Sequence, residues 1–180
     1  MEKQKKFNEL FIPFIIVLAG TLFMVISLFL PYSTAIGDHE EYINRFSDEI
    51  AYEELDMTYD DTMNLSMAEY AKVHGSMGQS FTLYVALVVL IGGFSSLALL
   101  FACLKKPIPI IIFTVLAFLV FCLQNWDYSD RGVVPSSDYD WGAAYYIFPA
   151  AAAVAFIGSI CLLVQKIKIN RKCVHNLENS

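Results

Sequence analysis

The chain has 180 residues, of which 57% are hydrophobic and 17% are charged, and its formal net charge is −6. Soluble globular domains carry about 25% charged residues, so this composition excludes an ordinary soluble domain. The acidic loops described below also exclude nucleic acid as their partner, because they would repel its phosphates.

Four long stretches of the sequence contain no Asp, Glu, Lys, Arg or His. Each has at least 18 residues, enough to cross a hydrocarbon core of about 30 Å as a helix, and none shows the polar face of a soluble core helix. The pattern predicts an all-α integral membrane protein, a four-transmembrane-helix bundle with a small extracytoplasmic helical hairpin between helices 1 and 2. The predicted transmembrane segments are residues 11–31, 81–104, 107–124 and 142–165.

Lys and Arg are distributed unevenly among the connecting segments. Nine of them lie in residues 1–10, 105–106 and 166–180, whereas residues 32–80 and 125–141 hold three, together with fifteen Asp and Glu. By the positive-inside rule the first group of segments faces the cytoplasm. We therefore predict a multi-pass protein of the cytoplasmic (plasma) membrane, with a basic arm and a basic tail in the cytoplasm and two acidic loops outside.

The end of the first apolar stretch also resembles a signal-peptide cleavage site. Ser33, Thr34 and Ala35 are small residues, and cleavage after Ala35 would leave a mature chain that begins at Ile36. The apolar core of a cleaved signal has about 7–15 residues, whereas residues 11–30 are long enough to span the membrane. We expect an uncleaved helix, with cleavage as the alternative.

The longer acidic loop has a helical pattern in its first half. Tyr42, Phe46 and Ile50 recur every four residues with charged residues between them, which is typical of an amphipathic helix. Asp38 is the predicted N-cap of this helix. A turn near residues 56–59 would follow, and the scarcity of alternating β-branched residues argues against a sheet.

A second helix is predicted in the same loop over "SMAEYAKVHG". Ser66 and Glu69 match a capping box, and Gly75 supplies a stop signal at the C-terminal end. Thr58 and Asp61 have the same spacing and offer an earlier helix start. The two helices together form the predicted hairpin.

Two of the apolar stretches carry small residues at helical spacing. The second contains Gly92 and Ser96, four residues apart, and the fourth contains Ala151, Ala155 and Ser159 at successive intervals of four. Small residues let helices approach closely in a membrane. We predict that these residues form the helix-packing faces of the bundle.

The sequence offers no set of side chains for catalysis or for a cofactor. No Asp, Glu, Lys, Arg or His lies within the apolar stretches, where ion carriers and proton relays usually need such a residue. The Ser residues there have no His or Asp partner at the same depth, and His39 and His74 lie among carboxylates rather than in the tight His and Cys set that zinc prefers. We predict no catalytic residue, no metal, no cofactor and hence no enzyme.

The leading prediction is a non-enzymatic protein embedded in the lipid bilayer, which acts as an accessory, assembly or sensor-like subunit. It would dock a membrane-protein partner, or a second copy of itself, through its acidic outer segment. The residues predicted to make contact are Tyr42, Phe46, Ile50, Met67 and Tyr70. The alternative is an oligomeric cation channel or export component with an acidic mouth that concentrates cations. Outer loops free of Cys and a compact lysine connector favour a bacterial source.

Overall fold

The computed structural model describes residues 2–78 and 82–178 of the chain, and it describes side chains over residues 10–78 and 83–171. Most of this part is helical. The helices are α1 (Glu2–Ile26), α2 (Gly37–Arg45), α3 (Tyr59–Thr62), α4 (Met67–Ser76), α5 (Thr82–Cys103), α6 (Pro107–Asp130) and α7 (Ala143–Glu178). The strands are β1 (Pro31–Ala35), β2 (Ile50–Tyr52), β3 (Met57–Thr58), β4 (Asn64–Ser66) and β5 (Tyr139–Trp141).

Four of these helices are long and apolar enough to cross a membrane. Their apolar parts are Leu10–Phe29, Leu83–Cys103, Pro107–Asp130 and Ala143–Arg171, which were found within the described part of the chain. Many large apolar side chains of these helices are exposed on the outside of the bundle, as expected of helices that face lipid. The prediction of four apolar helices of membrane-spanning length is confirmed.

The four long helices form a closed ring. α1 packs against α5 and α7, and α6 packs against the same two helices. A tight turn joins α5 to α6: Lys105 has a φ of 54°, and the amide of Lys106 donates to the carbonyl of Phe101, which ends α5 as a left-handed C-cap does. Pro107 then begins α6 at a position that needs no amide donor.

α1 and α7 pack closely against each other at Gly20. A Cβ placed on Gly20 would lie 2.6 Å from the backbone nitrogen of Ala155 and 3.0 Å from the carbonyl oxygen of Ala151. Ala151, Ala155 and Ser159 are all buried. The Ser159 hydroxyl donates to the Ala155 carbonyl at 2.7 Å, so it needs no partner on another helix. The predicted small-residue stripe of α7 thus lies against α1.

The other predicted packing pair, on α5, has a looser environment. A Cβ on Gly92 would meet only the tip of the Leu28 side chain, at 3.4 Å. Ser96 is exposed on the surface of the bundle. Any helix that packs on Ser96 would therefore have to come from outside this chain.

A small folded unit covers one end of the bundle, and it contains strands that the sequence did not predict. We call residues 31–76 and 131–142 the cap. Its larger sheet has the antiparallel order β4-β1-β5, in which Ser33 pairs with both Leu65 and Trp141. The expectation of a purely helical segment is wrong. Strands of three to five residues are too short to show alternation, and their partners are distant in the chain.

A second sheet surrounds the turn that the sequence predicted between two helices. β2 pairs with β3, and Asp56 turns the chain between them with a left-handed φ of 52°. Asp, which has a short polar side chain, tolerates this backbone conformation better than most other residues do. The predicted turn is present, but it joins strands and not helices.

The two helices predicted in the acidic loop exist with different ends. α2 begins at Gly37, and Ile36 occupies its N-cap position without a side-chain hydrogen bond. Asp38 is therefore not the N-cap. The capping box of α4 is confirmed, since the Ser66 amide donates to the Glu69 carboxylate at 2.8 Å. A second capping box, at Thr58 and Asp61, begins the separate short helix α3. The alternative of an earlier start for the second helix is wrong, because strand β4 lies between α3 and α4.

The tight α1–α7 contact makes Gly20 a position where an added methyl group should destabilise the packing of two helices. We expect Gly20→Ala to lower the free energy of unfolding by about 1–3 kcal/mol, because backbone atoms stand in the way and the helices must separate. Gly93→Ala is the matched control, since nothing lies within 4 Å of a Cβ there. Thermal unfolding in mild detergent measures both, and equal melting temperatures for the two variants would contradict the packing described.

Candidate functional site

Two groups of polar and aromatic side chains stand out, one buried beneath the cap and one on its surface. The buried group surrounds Tyr32, which follows α1 on strand β1 and is fully buried. Its ring meets those of Tyr70, Tyr128 and Trp141 edge to face, with centroids 6.0, 5.9 and 5.5 Å away. These rings come from α4, α6 and β5, so Tyr32 joins the cap to the bundle through an aromatic core.

Two phenol groups in this core, those of Tyr32 and Tyr70, are hydrogen bonded. Tyr32 donates to the side-chain oxygen of Asn125 at 2.5 Å, and the hydroxyls of Ser33 and Tyr70 lie 2.8 Å apart. Burial raises the pKa of Tyr32 and of Tyr70 well above the ordinary value. Both phenols therefore stay protonated, and neither is a base at neutral pH.

His74 of α4 lies at the edge of this core. Its side chain is 8% exposed, and its ring centroid is 4.7 Å from that of Tyr84 and 5.8 Å from that of Tyr70. Burial lowers the pKa of His74, because desolvation disfavours the charged ring. The imidazole is therefore held neutral within an aromatic environment.

The buried core does not assemble a recognisable catalytic or metal-binding set. Ser33 is hydrogen bonded to a phenol, which is a poor base. His39 contacts Tyr42 and Tyr139, whereas His74 contacts a different group of rings. Within the described part of the chain, no three His, Cys, Asp or Glu side chains are grouped as metal ligands.

The surface group is a row of rings on the cap, which we call the aromatic strip: His39, Tyr42, Phe46, Tyr59 and Tyr139. Tyr42 stands at its centre, with centroid distances of 4.8 Å to Phe46, 5.3 Å to Tyr59 and 6.4 Å to His39. Tyr42 is 45% exposed, and Phe46 is half-buried. Positions 39 and 42 share one face of α2, and Phe46 follows directly after the last residue of this helix. Together they present the strip to the surroundings.

Hydrogen bonds hold one end of the strip in place. The Tyr139 hydroxyl donates to the carbonyl oxygen of Thr62 at 3.0 Å and accepts from Nε2 of His39, 3.3 Å away. β5 carries Tyr139, and it is paired with β1 in the larger sheet. The strip is therefore attached to the rigid part of the cap.

Exposed carboxylates frame the aromatic strip. α2 carries Asp38, Glu40 and Glu41, and the segment after it carries Asp48 and Glu49, all of them exposed. Further exposed carboxylates lie on the β2–β3 hairpin and on α3: Glu53, Glu54, Asp56, Asp60 and Asp61. The strip thus lies in a strongly negative environment.

The structure separates the five residues predicted to contact a partner. Tyr42 and Phe46 belong to the strip. Ile50 lies on β2 and is 53% exposed. Met67 and Tyr70 are buried in the core beneath the cap, where they are not accessible to a partner.

Sequence reasoning missed the ring partners of the strip. His39 and Tyr139 are 100 residues apart in the chain, and only the pairing of β1 with β5 brings them together. Tyr128 and Trp126 are both aromatic residues of the kind found at membrane interfaces. Tyr128 is fully buried, whereas Trp126 is 64% exposed. No short-range sequence signal distinguishes these two residues.

Comparisons of the chain with protein-family models, with curated proteins and with solved structures found no match.

The lowered pKa of His74 predicts a pH dependence of stability. Below about pH 6.5 the unfolded chain binds a proton that the folded protein disfavours, so stability falls as pH decreases through this value towards the folded pKa. We expect the melting temperature in detergent to fall between about pH 7.5 and pH 5.5, and to fall less in His74→Gln. Lys72→Gln, an exposed change on the same helix, should keep the full dependence. An unchanged pH profile in His74→Gln would contradict this role of the ring.

Proposed function

We propose that this protein is a non-enzymatic, multi-pass membrane subunit that docks another membrane protein through the aromatic strip of its cap. Its role would be that of an accessory, assembly or sensor-like component of a larger membrane complex. The observation that carries the proposal is the row of partly exposed rings centred on Tyr42.

The chemistry of the strip supports a protein partner. Tyr is enriched among the residues that dominate binding energy at interfaces, because its large ring buries much surface and loses little conformational freedom. Tyr42 is packed between Phe46 and Tyr59, so the binding surface is already formed before a partner arrives. Preorganisation of this kind reduces the entropic cost of association.

The distribution of charge supports a particular orientation in the membrane. The turn between α5 and α6 carries Lys105 and Lys106, at the end of the bundle opposite the cap, and the cap itself is acidic. By the positive-inside rule the cap lies outside and both termini lie in the cytoplasm. We place the protein in the cytoplasmic membrane of a bacterium. No cofactor and no nucleic acid are part of this proposal.

An oligomeric cation channel is the second candidate function. The exposed carboxylates of the cap favour it, because they would raise the local concentration of cations. The interior of one bundle, however, is filled by apolar side chains such as Met24, Ile91 and Phe148. Conduction would therefore need a pore between several copies of the chain.

The docking proposal predicts the loss of a partner when the strip is altered. We expect the double variant Tyr42→Ser and Phe46→Ser to lose co-purifying membrane proteins by a factor of about ten or more, since each interface aromatic contributes about 1–2 kcal/mol or more. The measurement is affinity purification in mild detergent followed by quantitative mass spectrometry.

The control for this experiment is Met77→Ser. Met77 is also an exposed apolar residue near the cap, but it lies at the end of α4 and outside the strip. Both proteins should keep the melting temperature of the unaltered chain. If every partner stays bound to the double variant, or if the control loses the same partners, docking through the strip is disproved.

A further inference from the structure

The strip combines two properties that together indicate the chemistry of its partner. Its rings present their faces and edges around Tyr42, with Tyr59 nearly perpendicular at 82°. The backbone of Glu49 is held between Phe46 and Tyr59 by hydrogen bonds of 2.9 and 3.0 Å, so its exposed carboxylate lies beside the strip. An aromatic face beside a carboxylate attracts a cation by two effects that act together.

The phenol at the centre of the strip stays neutral. A hydrogen bond with Tyr59 raises the pKa of Tyr42, and the nearby Glu49 carboxylate adds to the effect. The aromatic ring therefore remains available as a neutral surface for a cation at physiological pH. The negative charge of the site comes from the fixed carboxylates around the ring.

The cap has few cations of its own to neutralise this surface. Its three basic side chains are Arg45, Lys72 and Arg131, against the fifteen carboxylates of the two acidic loops. Arg131 is already engaged by Asp127, with a distance of 3.0 Å between its Nε and the carboxylate oxygen. Lys72 lies on α4, which carries none of the rings of the strip. Arg45, the last residue of α2, adds a single positive charge next to Phe46. The surface thus keeps a large unbalanced negative charge.

These observations select a basic protein segment over a lipid surface. An anionic membrane would be repelled by the cap, and a neutral membrane would leave the carboxylates without partners as they lost water. The cations of an Arg-rich or Lys-rich segment would form ion pairs with the carboxylates and pack on the faces of the rings. Arg suits the site better than Lys, because its planar guanidinium can pair with a carboxylate while it stacks on a ring.

We propose that the aromatic strip binds an arginine-rich or lysine-rich segment of its protein partner, with cations seated on the rings of Tyr42 and Phe46 and paired with Glu49. This inference rests on the docking role proposed above for the same strip. It adds the chemical class of the segment that docks there.

The test is a binding titration with the full-length protein in detergent. The probes are fluorescent peptides of alternating Arg and Gly, and of alternating Gln and Gly as the uncharged reference. We expect the Arg peptide to bind at least about tenfold more tightly than the Gln peptide, and to weaken as salt is raised because exposed charges are screened.

Three variants separate the contributions of ring and charge. Tyr42→Leu with Phe46→Leu keeps apolar bulk but removes the rings, and it should weaken the Arg peptide about tenfold. Glu49→Gln should weaken it several-fold. Asp130→Asn removes the same charge at the exposed end of α6, away from α2, and should leave binding almost unchanged.

The inference is overturned if the Arg peptide binds no better than the Gln peptide. It is also overturned if Asp130→Asn weakens binding as much as Glu49→Gln, because general attraction by net charge would then suffice. Loss of Arg-peptide binding when the detergent is replaced by a bilayer of neutral choline lipid would overturn it in favour of a lipid surface. A partner that depends on the strip in the purification experiment, together with no Arg-peptide binding, would leave the docking proposal intact and disprove this one.

Discussion

The bilayer's inability to solvate charge is the constraint on which the rest of the structure depends. The apolar part of α1, Leu10–Phe29, carries no Asp, Glu, Lys, Arg or His, and the same holds for Leu83–Cys103. Helices of this kind satisfy their own backbone hydrogen bonds and leave only apolar side chains for hydrocarbon. Every charged group is thereby moved to the two ends of the bundle. One end receives the compact lysine turn between α5 and α6, and the other receives the acidic cap.

The contacts that hold the cap on the bundle are aromatic and largely buried. Tyr32 follows α1 in the chain, and its ring contacts rings from α4, α6 and β5. β5 is followed closely by α7. The larger sheet therefore ties the cap to the ends of two long helices that already pack closely at Gly20. Through Tyr139 the aromatic strip is connected to this same sheet. A partner docked on the strip would contact a surface that is firmly joined to the membrane helices.

The parts of the fold that depend on local sequence were predictable, and those that depend on distant pairing were not. A run of apolar residues predicts a membrane helix by itself, and the capping box at Ser66 and Glu69 needs only four residues. The larger sheet requires Ser33 to pair with Trp141, although two long helices separate them in the chain. No short window of the sequence indicates that pairing. Tyr42 and Phe46 could be predicted as a surface pair because α2 is amphipathic. The burial of Met67 and Tyr70 could not, because it depends on how α4 packs beneath the cap.

The most direct test of this interpretation is the side of the membrane on which each end of the bundle lies. Single cysteines are introduced in place of Glu54, which is exposed on the cap, and of Lys106, which is exposed at the α5–α6 turn, in a chain whose native cysteines are replaced by alanine. A membrane-impermeant maleimide is then applied to intact cells and to permeabilised cells. We expect the cap cysteine to be labelled in intact cells and the Lys106→Cys position only after permeabilisation. Labelling of both positions in intact cells, or of neither, would contradict a bundle that crosses the bilayer with its acidic cap on one side and its basic turn on the other.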